Sequence, residues 1–494
     1  MLEVGKAMKR SILLIGVALL SMGAKNKDPN ALPAAQAMTA SDRSTGAKAH
    51  PQILEEFGGL YPGSQSAYVT KVGQKIAVQS GLSNAQGDFT VSLLNSSVNN
   101  AFAIPGGYIY VTRQLMGLMN NEAELASVLG HETGHVAARH SKKRNDRATL
   151  GGLGQMAATI LGAVIGGDSG AKFGQQIGGT IAQGLVLGYS RSQEYQADDL
   201  GVSYLAKAGY DSMASSSMLA SLAAQTALDA RVQGQSGKSG PAWASTHPDP
   251  ASRVSRAAQK AQIFGSTGGA TNRDAFLSAL DGVMYDDDPK QGVVDGATFR
   301  HPELKLTFTA PQGFAMANGT QAVTISGSGG QAQFTGAAYN GNLENYIGSV
   351  FQALAGQGNN IPVGNTQTTT VNGLKAATAN ATANTQSGQV IVTVFAYEFG
   401  PNSAFHFLTI VPAASSADPF APLYRSMRRL SGSEIAGIKS RRIEVVSVRS
   451  GDTVASLAAK MAYQDYREDR FRVLNALSNG ATLKPGQKVK IVVY

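Results

Sequence analysis

Cysteine is missing from this chain: none of its 494 residues is one. That excludes disulfide staples, a thiol nucleophile and anchoring through a lipidated cysteine. Charge is sparse as well, since only 15% of residues are charged while 57 are glycine, a balance that predicts abundant turns and closely packed backbone. The formal net charge of +9 suits attraction to anionic lipid or wall polymer, and equally suits plain solubility. No basic patch interleaved with aromatics accompanies it, so nothing argues for a nucleic-acid partner. Nor is there a long hydrophobic run beyond the N-terminus. The apolar, Gly-rich stretch 150–188 is broken by Asp168, Lys172, Gln175 and Gln176 before it reaches the ~20 residues a bilayer needs. Small residues at Gly162/Gly166, Gly174/Gly178 and Gly184/Gly188 would let helices approach closely, so a helical pair over the functional site is the expectation, with peripheral membrane contact as the alternative. Gly167-Asp168-Ser169-Gly170 mimics a serine-nucleophile segment, but the strand pattern and the His and Asp order of that chemistry are lacking.

What is present centres on His131-Glu132-Thr133-Gly134-His135 and, further on, Glu194-Tyr195-Gln196-Ala197-Asp198. Four residues along a helix advance about 6 Å and rotate about 40°, so His131 and His135 present their imidazoles from one face. They supply two ligands of a tetrahedral zinc ion, and Glu194 is the candidate for the third, leaving one position for water. Glu132 need not bind metal; its expected role is general base toward a zinc-activated water. The apolar residues Leu125, Ala126, Val128 and Leu129 before the motif, and Val136, Ala137 and Ala138 after it, predict a buried site helix. Asp198, four residues after Glu194, can orient a ligating imidazole from behind.

These motifs, with the preceding Ala101-Phe102-Ala103-Ile104-Pro105-Gly106-Gly107-Tyr108-Ile109-Tyr110-Val111-Thr112, resemble the HtpX and CAAX-protease family of zinc metallopeptidases, and most of all its soluble periplasmic BepA-type branch. The likeness runs from about Tyr61 to Ala258 and implies metal ligands at His131, His135 and Glu194, with Glu132 catalytic. It implies one zinc ion per chain, hydrolysis of peptide bonds, and misfolded or unassembled cell-envelope proteins as substrates. Ser245-Thr246-His247-Pro248-Asp249-Pro250-Ala251-Ser252-Arg253 is similar to the family's His-Pro segment with a following arginine. For His247 three readings stay open: oxyanion donor, fourth zinc ligand holding a latent enzyme closed, or a helix terminator in a solvated loop. Arg253 is expected either to bind a carboxylate or substrate carbonyl, or to form a surface salt bridge. The Pro-Gly-Gly stretch reads as a strand just before the site helix, whose edge either pairs with extended substrate or is covered by its own domain.

Met8-Lys9-Arg10 followed by the apolar Ser11–Gly23 reads as a signal peptide. Met8 competes with Met1 as initiator; cleavage is expected near Ala24 or after Ala35-Gln36-Ala37, with an uncleaved anchor as the alternative. Export to the periplasm follows. The expected organisation is α+β. A signal peptide and leader (1–37) precede a mainly helical zinc metallopeptidase domain (38–265) and a linker with a short helix (266–296). An α+β antiparallel-sheet domain of PsbP-like pattern (297–440) and a small βααβ domain (441–494) complete it. In the sheet domain, strands are expected at Leu304–Phe308, Ala322–Ile325 and Gln389–Phe395, and helices near Leu343–Leu354 and Pro419–Leu430. Its His301 and His406 have no metal-ligand companion in sequence. The last segment, from Val445 through Gly451-Asp452-Thr453 to Leu483–Ile491, resembles a LysM module with Thr453 as helix cap. Such modules commonly bind N-acetylglucosamine polymers, so peptidoglycan is the expected partner, and a purely structural cap is the competing reading. Arg425, Arg428, Arg429, Lys439, Arg441, Arg442 and Arg449 read as linker and helix surface. The function class competing with the peptidase is a wall-binding or assembly scaffold whose site is silent or latent.

Overall fold

The computed structural model describes residues 32, 35–141, 189–232, 247, 249–264, 267–355, 362–385 and 388–494. The signal-peptide reading and the Gly-rich pair with its Gly-Asp-Ser-Gly segment therefore lie outside the described residues. Among the described residues no helix is long and apolar enough to cross a membrane.

The N-terminal part is mainly helical. Helices α1 (Ala40–Glu56) and α2 (Ser64–Ala77) precede strands β1 (Thr90–Leu94), β2 (Ala101–Ile104) and β3 (Tyr108–Thr112). These strands form a sheet of order β1-β3-β2, with β1 parallel and β2 antiparallel to β3. The Pro-Gly-Gly turn thus makes the expected hairpin, and β2 is the sheet's edge. Both faces of β2 are buried, and on one of them α1 packs Ile53 and Phe57 against Phe102, Ile104 and Tyr110. Next come α3 (Arg113–Leu118), the site helix α4 (Glu122–Ala137), α5 (Arg191–Lys207), α6 (Ala214–Val232), α7 (Pro250–Phe264) and α8 (Arg273–Leu280).

Helix α4 starts where it does because the Asn121 side chain accepts from Glu124 N at 2.9 Å, and the acidic Glu122 and Glu124 complement the positive helix end. It can lie against α5 because two glycines remove side chains from the contact. A Cβ on Gly134 would sit 3.1 Å from Ala197 O, and one on Gly201 would sit 3.1 Å from His131 N. The helix carrying two histidines is thereby pressed onto the helix carrying Glu194.

The middle of the chain forms an antiparallel sheet of seven strands, β4 (Phe314–Asn318), β5 (Val323–Gly327), β6 (Gly330–Ala337), β7 (Gln367–Val371), β8 (Leu374–Thr385), β9 (Gly388–Gly400) and β10 (Ser403–Pro412), in the order β7-β8-β9-β10-β6-β5-β4. Helix α9 (Leu343–Ala355) covers one face with Tyr346, Ile347, Val350 and Phe351. The other face meets a four-stranded sheet through Phe299, Phe308, Phe334 and Phe407. The three expected strands and α9 are in place. The expected helix over Pro419–Leu430 is shorter, a turn and a half at Ala421–Ser426, after which Arg428–Arg429 extends to pair with Leu306 and Thr307. That pairing supplies ladder hydrogen bonds that a longer helix would forgo.

The C-terminal βααβ unit is formed by Arg441–Ser447, Val454–Ala458, Arg467–Leu474 and Lys488–Val493, its two strands antiparallel. Thr453 caps the first helix, accepting from Ser456 N at 3.1 Å. Met284–Tyr285, just after α8, adds a third strand beside Arg441–Arg442. Arg441 departs from the surface reading: it is largely buried, stacked on Tyr463 and Tyr494 and paired with Asp286 at 3.2 Å.

Candidate metal centre

His131, His135, Glu194 and His247 converge, each buried and each offering one ligand atom within 4.8 Å of the others. The individual spacings are tighter. His131 Nε2 lies 3.0 Å from His135 Nε2 and 3.3 Å from His247 Nδ1. Glu194 Oε1 lies 3.2 Å from His247 Nδ1 and 3.5 Å from His135 Nε2, and Glu194 Oε2 is 3.6 Å from His131 Nε2. A tetrahedral zinc ion with ligand bonds of about 2.0–2.1 Å needs its ligand atoms about 3.3 Å apart, so these side chains fit the ion's dimensions and its preference for nitrogen and oxygen donors. Among the described residues no other His, Asp and Glu group of this kind assembles. His406 instead meets the Tyr346 hydroxyl at 2.8 Å inside the central core.

Each side chain is placed by a local feature. His131 and His135 are one helical turn apart on α4, as their spacing requires. Glu194 is in the first turn of α5, whose N-terminus is fixed by a capping box between Ser190 and Gln193. His247 precedes α7 and is 1% exposed, so a solvated loop terminator is not what the structure contains. Arg253, in the first turn of α7, is also 1% exposed and is no surface ion pair. Its Nε and Nη2 donate to the two oxygens of Asp198 at 2.8 and 2.6 Å, and its Nη1 reaches Glu194 Oε2 at 2.5 Å. A guanidinium committed to two carboxylates binds them rather than a substrate carbonyl. Asp198 Oδ1 in turn faces His131 Nδ1 at 3.0 Å, leaving the Nε2 of that ring for metal.

Electrostatics follow from this packing. Burial would push the Asp198 carboxyl up, but Arg253 and His131 outweigh it and hold it well below the usual carboxylate range. Burial pushes the His135 imidazole far below its ordinary value, which keeps it neutral, as a ligand must be. Glu132 is 1% exposed, and burial raises its carboxyl despite His247 and His131 nearby. Its Oε1 sits 3.5 Å from His247 Nε2.

Two residues at the site went unmarked in the sequence. Tyr189 stacks on the His135 ring with centroids 3.8 Å apart. His140, 0% exposed, meets His135 Nδ1 through its own Nδ1 at 2.8 Å, and its Nε2 meets Gln196 Oε1 at 2.8 Å. A spacing of five residues does not share a helix face, which is why His140 escaped notice. It reaches His135 because the helix ends at Ala138 and Arg139 turns left-handed at φ 53°.

Comparison with known proteins agrees with this arrangement. Residues 63–261 match the model of peptidase family M48, a family of metallopeptidases, and residues 446–492 match that of the LysM domain. The chain thus carries an M48 peptidase domain and a LysM domain. Among curated relatives, the beta-barrel assembly-enhancing protease of Escherichia coli K12 is 29% identical over 216 residues, 43% of this chain and 42% of that protein. That of Yersinia pestis is 27% identical over 230 residues, 45% of this chain and 44% of its own length. The mitochondrial metalloendopeptidase OMA1 of Schizosaccharomyces pombe is 28% identical over 209 residues, 42% of this chain and 57% of the relative. The chain therefore spans roughly half or less of the length of these relatives, and its likeness to the first two agrees with the BepA-type branch.

Proposed function

We propose that this chain is a zinc-dependent metalloendopeptidase of the cell envelope, cutting exposed segments of misfolded or unassembled proteins. The convergence of His131, His135 and Glu194 at tetrahedral spacing, with the Glu132 carboxylate one residue from the first ligand, carries this reading. Zinc, when bound, supplies Lewis acidity that brings the pKa of water toward about 7 and polarises the scissile carbonyl. The protein's own residues do the rest. Glu132 takes a proton from the attacking water as its oxygen bonds to the carbonyl carbon, then delivers that proton to the departing amide nitrogen as the C–N bond breaks. Asp198 orients the His131 ring, and Arg253 holds Asp198 and Glu194 in register.

His247 decides whether this site is open. Its Nδ1 stands among the ligand atoms, so the described conformation offers four protein ligands instead of the three plus water expected of an active centre. That favours the latent reading over the oxyanion one: His247 must withdraw before substrate enters. The substrate class draws on relatives named beta-barrel assembly-enhancing proteases. The periplasmic location draws on the signal-like N-terminus and the LysM domain. In that domain Gly451, Thr453, Ser478, Asn479 and Gly480 stay exposed, leaving the turns open to peptidoglycan.

Cleavage of an unfolded protein such as casein by the zinc-loaded chain tests the reading. Glu132→Gln should lower the rate about 10²–10⁴-fold while zinc is retained. His247→Ala should raise it if the histidine is a latch and lower it if it donates to the oxyanion. Peptidoglycan pull-down with no zinc-dependent cleavage by any variant would instead establish the scaffold.

A further inference from the structure

Resting on the metal reading above, we infer that His140 and Gln196 form a relay that fixes the tautomer and ring orientation of His135, making His140 a positioning residue for the second metal ligand. The three contacts permit one assignment of protons. Gln196 Oε1 can only accept, so the His140 nitrogen facing it at 2.8 Å, Nε2, carries the hydrogen. A neutral His140 then has a bare Nδ1, which accepts from His135 Nδ1–H at 2.8 Å. His135 Nε2 is left with its lone pair directed at His131 Nε2, Glu194 and His247, where a metal ion fits. The reverse assignment would put a hydrogen on His135 Nε2, in the middle of the ligand set.

The backbone is built to hold this relay. His140 folds back beneath α4 because Arg139 adopts a left-handed φ of 53°, uncommon for a residue with a side chain. Arg139 is kept there by both oxygens of Asp42 in α1, each at 3.3 Å. Gln193 Nε2 donates to His140 O at 3.4 Å, so α5 grips the main chain and, through Gln196, the ring. Gln196 is two residues from Glu194. The relay thus ties His135 on one helix, through side chains, to the helix that carries Glu194.

The test measures zinc affinity of the full chain by competition with a chromophoric chelator, for the parent, His140→Phe and His140→Asn. Phenylalanine keeps the ring but accepts no hydrogen bond, and should weaken zinc binding by about 10–100-fold. Asparagine places a carbonyl oxygen where Nδ1 stands, and should recover most of that loss. Imidazole ¹⁵N spectra of the zinc-loaded parent should show His135 protonated at Nδ1 and bound through Nε2, a readout that holds even where a variant fails to fold. Affinity of a folded His140→Phe within about twofold of the parent, well short of the expected range, overturns the relay while leaving the metal reading intact. So does metal on His135 Nδ1. A parent chain that takes up no zinc overturns both.

Discussion

Lys490→Met should loosen the joint between the LysM domain and the peptidase by about 1–3 kcal/mol, the cost of leaving a buried acceptor without its donor. Lys490 lies on the closing LysM strand, yet it is 0% exposed, and its Nζ donates to the carbonyls of Gly117, Leu118 and Met119 at 2.8, 3.3 and 2.6 Å. These are the unpaired acceptors at the end of α3, where a cation is favoured. Leu118 O keeps a second donor, the Asn120 side chain at 3.1 Å, so Gly117 O and Met119 O bear the larger loss, about 1–3 kcal/mol for a buried acceptor left unsatisfied. Glu124, 2% exposed, loses its nearby countercharge. Burial pushes Lys490 down and Glu124 up. The three carbonyls around Nζ, and the Asn120 N and Ser217 Oγ donors on Glu124 at 2.7 and 2.6 Å, are nonetheless the partners of the charged forms. Hydrogen exchange read on the Lys488–Val493 strand should report the drop in opening free energy. Adding Glu124→Gln should cost less than it does alone, because the nearby Lys490 charge is already gone. A fall below about 1 kcal/mol for Lys490→Met, the net worth of one ordinary hydrogen bond, would refute the reasoning.

Arg253→Met leaves Asp198 and Glu194 buried without their guanidinium and should cost about 3–5 kcal/mol of stability. Because zinc would return positive charge to Glu194, melting in chelator should show a larger deficit than melting in zinc. Asp229, on α6, is pushed by burial from the ordinary 3.8 up to about 6. A raised carboxyl contributes stability that is fully present below about pH 4 and is lost as pH rises through about 6, so Asp229→Asn should stabilise at pH 7 by up to about 3 kcal/mol and remove that component of the pH dependence in urea titrations.

The candidate ligands on α4 and α5 were legible because helical spacing alone fixes which face His131 and His135 share, and because Glu194 and Asp198 repeat the same geometry on a second helix. The strand before the site, α9 and the Thr453 cap were legible from alternation, amphipathic spacing and capping chemistry. His247 and Arg253 could be named but not oriented: their roles depend on how α7 docks against α5, which no local pattern encodes. His140 was invisible because its contact with His135 follows from a left-handed turn at Arg139, a residue with no turn signature. Lys490 sits two positions from Lys488 in an alternating strand, the pattern of a solvated face. Only docking on α3 turns that face inward.

Metal content of the purified chain, set beside that of Glu194→Ala, tests the central claim most directly. The account predicts one zinc per parent chain and little on the variant, whose ligand set has lost its carboxylate. Absence of zinc from the parent, or an equal content in both, would contradict it.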